Sequence, residues 1–421
     1  MRWTRRRFGS FAGASCLAVL QARAARSQTK ARVVVIGGGI GGATVAKYLA
    51  ASAPKLDVTL VEPNPRYTTC FFSNLYLAGL RSLKSLTHDY ETLARSYGIN
   101  IIHNAAAAID PVAKIVTLTG GTKLAYDRAV VAPGIAFKYG AIEGYDEAAT
   151  QIIPHAWNAG PQTELLRKQL ESMEDGGVFV IVAPPEPFRC PPGPYERASL
   201  VAYYFKQFKP RAKILILDAK DTFFEQDLFQ DAWGRYYPGM IEWLPGQFTG
   251  GIKSVDVKTR AVKTAGETFN ANVANIIPPQ MAGELVQRAG LADQSGWCPI
   301  DPITFESTLQ PGVHVVGDAI SAGDMPKSAF ASNSQAKVCA FAIEAALTGS
   351  EQPAPHLFNT CFTFLAPNDA VSDAMSFKPM GGSIKINDIF ISQVGESAEM
   401  RRQVAHQADG WYAAFIHDVF G

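Results

Sequence analysis

Two kinds of residue in this sequence could do chemistry: its cysteines and a tight cluster of glycines. Beyond the first 24 residues the chain carries Cys70, Cys190, Cys298, Cys339 and Cys361. Cysteine thiolates are nucleophiles and form disulfides in an oxidising compartment. An odd number cannot all pair, so at least one of them is free or used in another bond.

The glycines Gly37, Gly39 and Gly42 follow the apolar run Arg32–Ile36, which is rich in β-branched residues, and precede a helix-like run. This order predicts strand, glycine turn and helix. The first two glycines would let the backbone turn beneath a pyrophosphate, and the third would let helix and strand pack closely. Glu62 ends the next predicted strand, where its carboxylate would bind a ribose hydroxyl. We therefore predict a dinucleotide site.

Two later segments favour FAD as that dinucleotide. An apolar strand breaks into a turn at Pro133-Gly134, which resembles the Ala-Thr-Gly segment of flavoproteins with two dinucleotide-binding domains. Another strand ends in Asp318, whose carboxylate would bind the ribityl and pyrophosphate region. A long helix-compatible stretch then begins at Pro326-Lys327-Ser328, and its N-terminus would face the flavin. Lys327 would add positive charge there; alternatively, it is a solvated lysine in a first turn.

A second nucleotide-binding unit is indicated by the apolar runs Gly177–Val182 and Lys213–Asp218, but its glycine turn is missing. The loop Ala183–Glu196 contains several prolines and Cys190 instead. Prolines lack the N–H groups that hold phosphate and prevent a close backbone approach. NAD(P)H binding is therefore not expected there, and a cysteine lies where the second cofactor would be.

The first 24 residues predict a twin-arginine export signal, because Arg5-Arg6-Arg7 precede a weakly apolar stretch and the pattern Ala22-Arg23-Ala24. An N-terminal membrane anchor is the alternative, but that stretch is shorter than the roughly 20 residues of a spanning helix. We expect a periplasmic protein without stable membrane insertion. Without the leader, which holds five arginines and no acid, the formal net charge changes from +1 to −4. An acidic chain is not expected to bind nucleic acid, and no metal site is predicted.

Four segments carry a resemblance to a known family: Tyr67–Asn74, Phe188–Ala198, Pro326–Ser328 and Asn359–Cys361. They resemble the flavoprotein subunit of flavocytochrome c sulfide dehydrogenase, including the related flavoprotein of periplasmic sulfur-oxidation systems. The likeness covers essentially the whole mature chain. More distantly, the chain is similar to sulfide:quinone oxidoreductases and glutathione-reductase-like enzymes.

The resemblance implies an α/β fold with two dinucleotide-binding domains, as in glutathione reductase. We expect a signal peptide over residues 1–24 and a Rossmann-type FAD-binding domain split over residues 30–143 and 278–350. A second nucleotide-like domain without its glycine loop is predicted over residues 144–277, and a C-terminal interface domain over residues 351–421. Trp411–Ile416 in that last domain would lie over the flavin, face a partner or pack as core.

The family forms a thioether between a cysteine and the flavin 8α-methyl group, and the matching residue here is Cys70. A covalent bond would retain FAD outside the cell and account for one unpaired cysteine. The alternative is a free buried thiol among aromatic residues in a core strand.

The family also has a redox disulfide beside the flavin, which corresponds to Cys190 and Cys361. Hydrosulfide would attack one sulfur, leaving a persulfide and a thiolate that passes two electrons to the flavin. Glu196 would take the substrate proton; alternatively it is a surface acid paired with Arg197, and the disulfide is alternatively structural. We interpret Cys298 and Cys339 as buried bystanders.

The resemblance therefore implies a sulfide dehydrogenase that uses FAD and passes electrons to a cytochrome c subunit. Haem attachment needs Cys-x-x-Cys-His, which this sequence lacks, so the haem would belong to a separate partner. One alternative is a peripheral membrane sulfide:quinone oxidoreductase. The other is a non-catalytic flavoprotein partner in a sulfur-oxidation complex.

Overall fold

The computed structural model describes residues 30–53 and 56–421. The predicted signal peptide, residues 1–24, lies outside them, so its assignment stays a prediction.

The strands, in chain order, are β1 (Ala31–Ile36), β2 (Leu56–Val61), β3 (Arg66–Thr68), β4 (Thr87–Asp89), β5 (Asn100–Ile102), β6 (Ala106–Asp110), β7 (Ile115–Leu118), β8 (Lys123–Ala125), β9 (Arg128–Val131), β10 (Ile135–Phe137), β11 (Val178–Ala183), β12 (Lys213–Asp218), β13 (Ile241–Leu244), β14 (Ile252–Asp256), β15 (Ala261–Thr264), β16 (Thr268–Asn270), β17 (Val273–Ile276), β18 (Gln280–Ala282), β19 (Val313–Val315), β20 (Leu357–Ala366), β21 (Asp369–Met380) and β22 (Ser383–Ile391).

The α-helices are α1 (Ile40–Ser52), α2 (Ser73–Leu77), α3 (Glu91–Tyr97), α4 (Pro161–Ser172), α5 (Gly193–Phe208), α6 (Gln226–Tyr236), α7 (Gly246–Thr249), α8 (Glu284–Arg288), α9 (Ala329–Thr348) and α10 (Ala398–Phe420). Short 3₁₀ turns span Leu83–Leu86, Ala149–Gln151 and Gly317–Ala319.

The first sheet is parallel and has the strand order β19-β9-β1-β2-β5. Its central strand is fully buried from Val33 to Ile36, as expected for a continuous apolar run covered on both faces. Helices α1 and α9 pack against each other at this sheet. The chain moves to one side of β1 to form β2 and later returns on the other side as β9. Ligands of open α/β sheets bind at such a switch point, beyond the carboxyl ends of the strands.

The second parallel sheet, β13-β12-β11-β17, repeats the start of this arrangement. Strand β11 leads through the proline-rich loop into α5, and β12 follows. The two strands that the sequence predicts for this second unit are thus present, with α5 between them.

The C-terminal part is an antiparallel sheet, β20-β21-β22, with α10 packed on β21. Helix α10 also contacts α1: Lys47 of α1 donates through Nζ to the carbonyl oxygens of His417 and Asp418, both at 3.0 Å. Strand β20 lies against α5 and α9. This position brings residues near 361 to the start of both helices.

The fold class predicted from the sequence is confirmed: an α/β fold with two parallel sheets of the dinucleotide-binding type, followed by an antiparallel C-terminal sheet. Residues 31–421 form one compact unit. The first sheet joins strands from both sequence segments of the expected FAD-binding domain, although the domain boundaries stay a prediction. Among the described residues, no helix combines the length and the apolar character needed to cross a membrane.

Candidate active site

A cavity of about 690 Å³ extends from the first glycine turn to the start of α5 and to β20. Its wall contains the following predicted site residues: Gly37, Gly39, Glu62, Cys70, Pro133, Gly134, Cys190, Glu196, Asp318 and Cys361. Residues more than 300 positions apart in sequence thus share one cavity.

The glycine turn is built so that a ligand can lie against its backbone. Gly37 has a φ of +98°, and a Cβ there would lie 2.3 Å from the carbonyl oxygen of Ala132. A Cβ on Gly42 would lie 1.8 Å from the carbonyl oxygen of Gly37. At Gly39, which precedes α1, a Cβ would meet only the Tyr67 ring, at 3.6 Å. Gly37 and Gly42 must be glycine for the protein's own packing, whereas Gly39 leaves room for a ligand.

Glu62 lies at the end of β2, where the sequence predicts the ribose-binding acid. Its carboxylate accepts hydrogen bonds from the backbone N–H of Gly38 (2.8 Å) and from the backbone and side-chain N–H groups of Asn64 (both 2.9 Å). These bonds fix the carboxylate at the edge of the cavity.

Asp318 provides the clearest sign of a missing partner. Its Oδ1 atom is buried and has no hydrogen-bond partner among the described residues, and Oδ2 lies 3.8 Å from Nη1 of Arg189. Burial raises the pKa of this carboxyl group. Buried polar atoms are almost always satisfied, so an unpaired oxygen at the cavity wall fits a hydroxyl donor from a ligand. Pro133 and Gly134 line the same cavity directly after β9.

The long helix predicted after Lys327 is present as α9, and the lysine itself is buried. Its Nζ donates to the carbonyl oxygens of Asp318 (2.7 Å) and Ile320 (2.8 Å) and lies 3.7 Å from the centre of the Trp297 ring. Lys327 is 9% exposed, and burial lowers its pKa to about 8. The alternative of a solvated lysine is thus wrong, whereas the positive charge that Lys327 would add near the flavin stays a prediction. The N-terminus of α9 does reach the cavity, through Ser328 and the two residues after it.

Cys70 lies in the turn between β3 and α2 and lines the cavity. Its carbonyl oxygen accepts from the backbone N–H (3.1 Å) and the hydroxyl (2.5 Å) of Ser73, which fixes the turn. Phe71 next to it packs on Trp411, with ring centres 6.1 Å apart. Cys70 is therefore not in a core strand, and its half-buried thiol is available to a ligand in the cavity.

Cys190, in the loop before α5, and Cys361, on β20, both line the cavity, and both are free thiols. Cys190 has a φ of +61°, a left-handed conformation that non-glycine residues rarely adopt outside constrained sites. A Cβ on Gly193 would lie 3.0 Å from the sulfur of Cys190 and 2.7 Å from the Trp157 ring, so glycine is required there. Burial raises the pKa of both thiols.

Glu196 lies in the first turn of α5. Its Oε2 accepts from the side-chain amide of Asn74 (2.7 Å) and its Oε1 from the backbone N–H of Phe364 (3.0 Å). Burial raises the pKa of this carboxyl group. The neighbouring Arg197 is 2% exposed and donates instead to Asn74, to Asn275 and to the carbonyl oxygens of residues 155 and 156. Glu196 is thus held by neutral donors and faces the cavity.

The second nucleotide position is occupied by side chains. Asp218, at the end of β12 where a ribose-binding acid would lie, is fully buried. Its carboxylate accepts from the hydroxyl of Tyr195 (2.5 Å), Nε1 of Trp243 (2.9 Å) and Nζ of Lys220 (2.5 Å). The Tyr195 ring stacks on Phe223 with centres 3.6 Å apart. Side chains of the protein thus bind the carboxylate of Asp218 and fill the space beside it.

Sequence reasoning missed several residues of the site. Asn74 donates to Glu196 and accepts from Arg197, and Arg189 lines the cavity beside Asp318. All three belong to the segments that carry the family resemblance, but sequence alone gives no signal of which residues they contact. Cys298 and Cys339 are fully buried and do not line the cavity.

Comparisons with known proteins agree with this geometry. Residues 163–278 match the family model of the central part of the sulfide dehydrogenase [flavocytochrome c] flavoprotein chain, and residues 353–420 match the flavin-binding part of flavocytochrome c sulphide dehydrogenase. Residues 31–169 match the pyridine nucleotide-disulphide oxidoreductase model. The flavoprotein chain of a sulfide dehydrogenase [flavocytochrome c] from Chlorobaculum thiosulfatiphilum is 60% identical over 43 residues, 10% of this chain and 90% of that relative. The chain belongs to the flavocytochrome c sulfide dehydrogenase flavoprotein family.

This flavoprotein is also similar to proteins named for a different acceptor. The mitochondrial sulfide:quinone oxidoreductase of Mus musculus is 24% identical over 300 residues, which span 68% of this chain and 65% of that protein. The X-ray structure of the sulfide:quinone oxidoreductase from Aquifex aeolicus has a TM-score of 0.72 at 18% identity, covering 93% of this chain and 91% of that chain. At this identity the structural likeness establishes the fold.

FAD is the cofactor that the site fits. The flavin-binding family model, the glycine turn, the fixed carboxylate of Glu62 and the unpaired oxygen of Asp318 all agree with it. The predicted FAD cofactor is therefore confirmed, and its covalent attachment is taken up below.

Proposed function

We propose that this flavoprotein oxidises sulfide through a redox disulfide between Cys190 and Cys361, with FAD attached to Cys70 and a cytochrome c subunit as electron acceptor. One observation supports this most: both cysteines and the carboxylate of Glu196 line the cavity that also contains the FAD-binding residues. A structural disulfide would not need an acid and a cofactor cavity beside it.

In the proposed reaction, hydrosulfide attacks one sulfur of the disulfide. The S–S bond breaks, a persulfide forms on the attacked cysteine, and the electron pair leaves on the other cysteine as a thiolate. Glu196 takes the proton of the attacking hydrosulfide. The hydrogen bonds from Asn74 and Phe364 orient its carboxylate, and burial brings its pKa closer to neutral pH, where a general base is most effective.

FAD, when bound, accepts the electron pair and can release it one electron at a time. The chain contributes the positive N-terminus of α9, which favours negative charge near it. Glu62 and Asp318 would bind the ribose and ribityl hydroxyls. A thioether from Cys70 would keep the cofactor in the periplasm, where free FAD is not supplied.

Sulfide:quinone oxidoreduction is the second candidate, because a relative from mouse and a similar structure from Aquifex aeolicus carry that name. The predicted twin-arginine signal, the acidic mature chain and the missing haem motif favour a periplasmic cytochrome partner instead.

The test combines flavin attachment and reduction. Mature protein is denatured in acid, its peptides are analysed by mass, and a native sample is titrated with sulfide. We expect flavin on the peptide that contains Cys70, and bleaching by sulfide that added cytochrome c reverses. Cys70→Ala should release the flavin in acid, whereas Cys298→Ala, outside the cavity, should not.

Flavin that washes free of the wild-type protein contradicts the thioether. A flavin spectrum that sulfide leaves unchanged contradicts sulfide oxidation. Reoxidation by a soluble quinone but not by cytochrome c supports the second candidate.

A further inference from the structure

Behind Cys361 lies a buried acid that the proposed reaction does not yet use. Asp373 is directly opposite Cys361 in the antiparallel pairing of β20 and β21. It is 2% exposed. Directly opposed residues have Cβ atoms about 4.5–5.5 Å apart on one face of a sheet. The carboxyl group of Asp373 is thus a close neighbour of the thiol.

Asn359 connects these two groups. Its side-chain Nδ2 lies 2.9 Å from Oδ1 of Asp373 and 3.5 Å from the sulfur of Cys361. Its Oδ1 accepts from the hydroxyl of Ser328 (2.5 Å), the residue that caps α9. The thiol of Cys361 lies 3.7 Å from the same Oδ1, so the amide has a fixed orientation between Cys361 and Asp373.

A second acid, Glu225, lies next to Asp373. Both of its carboxylate oxygens are buried without a hydrogen-bond partner among the described residues, and its φ is +64°. A buried carboxylate without donors is unstable, so the neutral form is favoured. Burial and the charge of Asp373 raise the pKa of Glu225 to about 8, and burial raises that of Asp373 to about 7.

The charges around the pair do not neutralise it. Arg401 is the cation that acts on Glu225, but its guanidinium already lies 3.2 Å from Glu396 and 3.8 Å from Asp369. Glu196 adds further negative charge from the cavity side. At neutral pH both acids are therefore partly protonated.

We propose that Asp373 is the proton acceptor for the thiol of Cys361. The S–H bond of Cys361 breaks, an O–H bond forms on Asp373, and the negative charge passes from oxygen to sulfur, so the net charge of the buried site does not change. The proposed function supplies the reason for this step: if reduced Cys361 takes up a proton, it must lose that proton before the disulfide can form again. The proton transfer itself does not depend on the proposed function.

The test follows the reactivity of Cys361 rather than turnover. Holoprotein is reduced with dithiothreitol, freed of it and treated with iodoacetamide between pH 5 and 10, and alkylation of the Cys361 peptide is measured by mass spectrometry. In the wild type we expect an inflection near pH 7 from Asp373. In Asp373→Asn this inflection should vanish, with alkylation near neutral pH slowed by about tenfold or more. Asp388→Asn, at an exposed acid on β22 of the same sheet, is the matched control.

The alternative role of Asp373 makes the opposite prediction. If its carboxylate acts only through its negative charge, Asp373→Asn lowers the thiol pKa and speeds alkylation, which overturns the proposal. A profile that is the same in both proteins, or a wild type without the inflection, also overturns it.

A second variant keeps the test valid if Asp373→Asn does not fold, as judged by circular dichroism and retained flavin. Asn359→Ala removes the side-chain donor that lowers the pKa of Asp373, so the inflection should move to higher pH. An inflection that does not move cannot come from Asp373 and overturns the proposal. Because no sulfide is used, a protein that does not oxidise sulfide but shows these profiles disproves the proposed function and leaves this inference standing.

Discussion

At the scale of single residues, the site separates two kinds of carboxyl group. Glu62 accepts from three N–H groups, whereas Asp318 has an unpaired oxygen and Glu196 is held by only two neutral donors. Burial disfavours the charged form of a carboxyl group and raises the pKa of Glu196. The hydrogen bonds that fix Glu62 support a binding role for that residue, and the raised pKa supports a proton-transfer role for Glu196.

Glu196→Gln tests that role. Because burial raises the pKa of Glu196, wild-type reactivity should rise as the pH increases through that raised pKa and the base form appears. In the variant, sulfide-dependent bleaching should slow by about 10²–10⁴-fold, and this acid limb should disappear. Stopped-flow absorbance between pH 5 and 9 gives both results. Glu164→Gln, at an exposed acid of α4, should match the wild type; an unchanged acid limb in Glu196→Gln contradicts the assignment.

Residue types alone could predict which side chains reach the cavity but not how they point. Glu62 and Asp318 follow from motifs that end strands, and these motifs fix position, whereas Cys70 follows only from the family resemblance. The direction of Lys327 depends on the carbonyl oxygens of a 3₁₀ turn and on the Trp297 ring, which no local pattern reveals. Asp373 could not be found either, because its importance comes from strand register with Cys361.

At the scale of elements, the second nucleotide-binding unit has the strands and the helix of such a unit, but side chains fill the position of the nucleotide. The runs of Val, Ile and Leu in β11 and β12 predict this framework directly. The proline-rich loop predicts the loss of a phosphate site. Which protein groups fill the space depends on the contacts of Tyr195 and Trp243 with Asp218, which are distant in sequence.

Tyr195→Phe tests whether this filling stabilises the lobe. The change removes the 2.5 Å donor to the fully buried Asp218 and keeps the ring stacked on Phe223. A lost donor to a buried carboxylate should lower the free energy of unfolding by about 1.5–3 kcal/mol, measured by urea denaturation. Tyr204→Phe is the control, since the hydroxyl of Tyr204 forms no hydrogen bond among the described side chains. Equal stability of the two variants contradicts the role of Tyr195.

Asp418, near the end of α10, connects this helix to α1 and α9. Asp418 accepts from the hydroxyl of Tyr48 (2.8 Å), Nδ2 of Asn333 (2.9 Å) and Nζ of Lys337 (2.8 Å). Burial alone would raise the pKa of Asp418, but these donors outweigh it and lower that pKa. A lowered pKa in the folded state adds stability above the unfolded-state pKa, which is lost as the pH falls through the folded one.

Asp418→Asn should therefore lower the free energy of unfolding by about 1–2 kcal/mol at pH 7, and its difference from the wild type should shrink below about pH 4. Urea denaturation at several pH values measures this. Asp409→Asn, on the same helix, removes an acid that is 63% exposed and pairs with Arg81, and should cost about 0.5 kcal/mol or less. A deficit that does not change with pH would mean that the charge of Asp418 is not what anchors the helix.

At the scale of the whole molecule, the predicted acidic mature chain and the proposed haem-carrying partner imply an encounter guided by charge. Removal of the predicted leader leaves a formal net charge of −4. An acidic protein attracts a basic partner over a distance set by ionic strength, about 10 Å at 0.1 M and about 3 Å at 1 M salt. The proposed sulfide oxidation would take place at the residues that line the cavity, whereas electron delivery would depend on this encounter at the surface.

The two half-reactions should consequently respond differently to salt. With a cytochrome c of net positive charge, the second-order rate of its reduction should fall about tenfold or more between low salt and about 0.5 M salt. Anaerobic bleaching by sulfide without cytochrome should change less than about twofold over the same range, because salt screens buried groups far less. Stopped-flow absorbance separates the two steps. A cytochrome rate that ignores salt, combined with rapid reoxidation by a soluble quinone, would instead favour the acceptor after which the mouse relative is named.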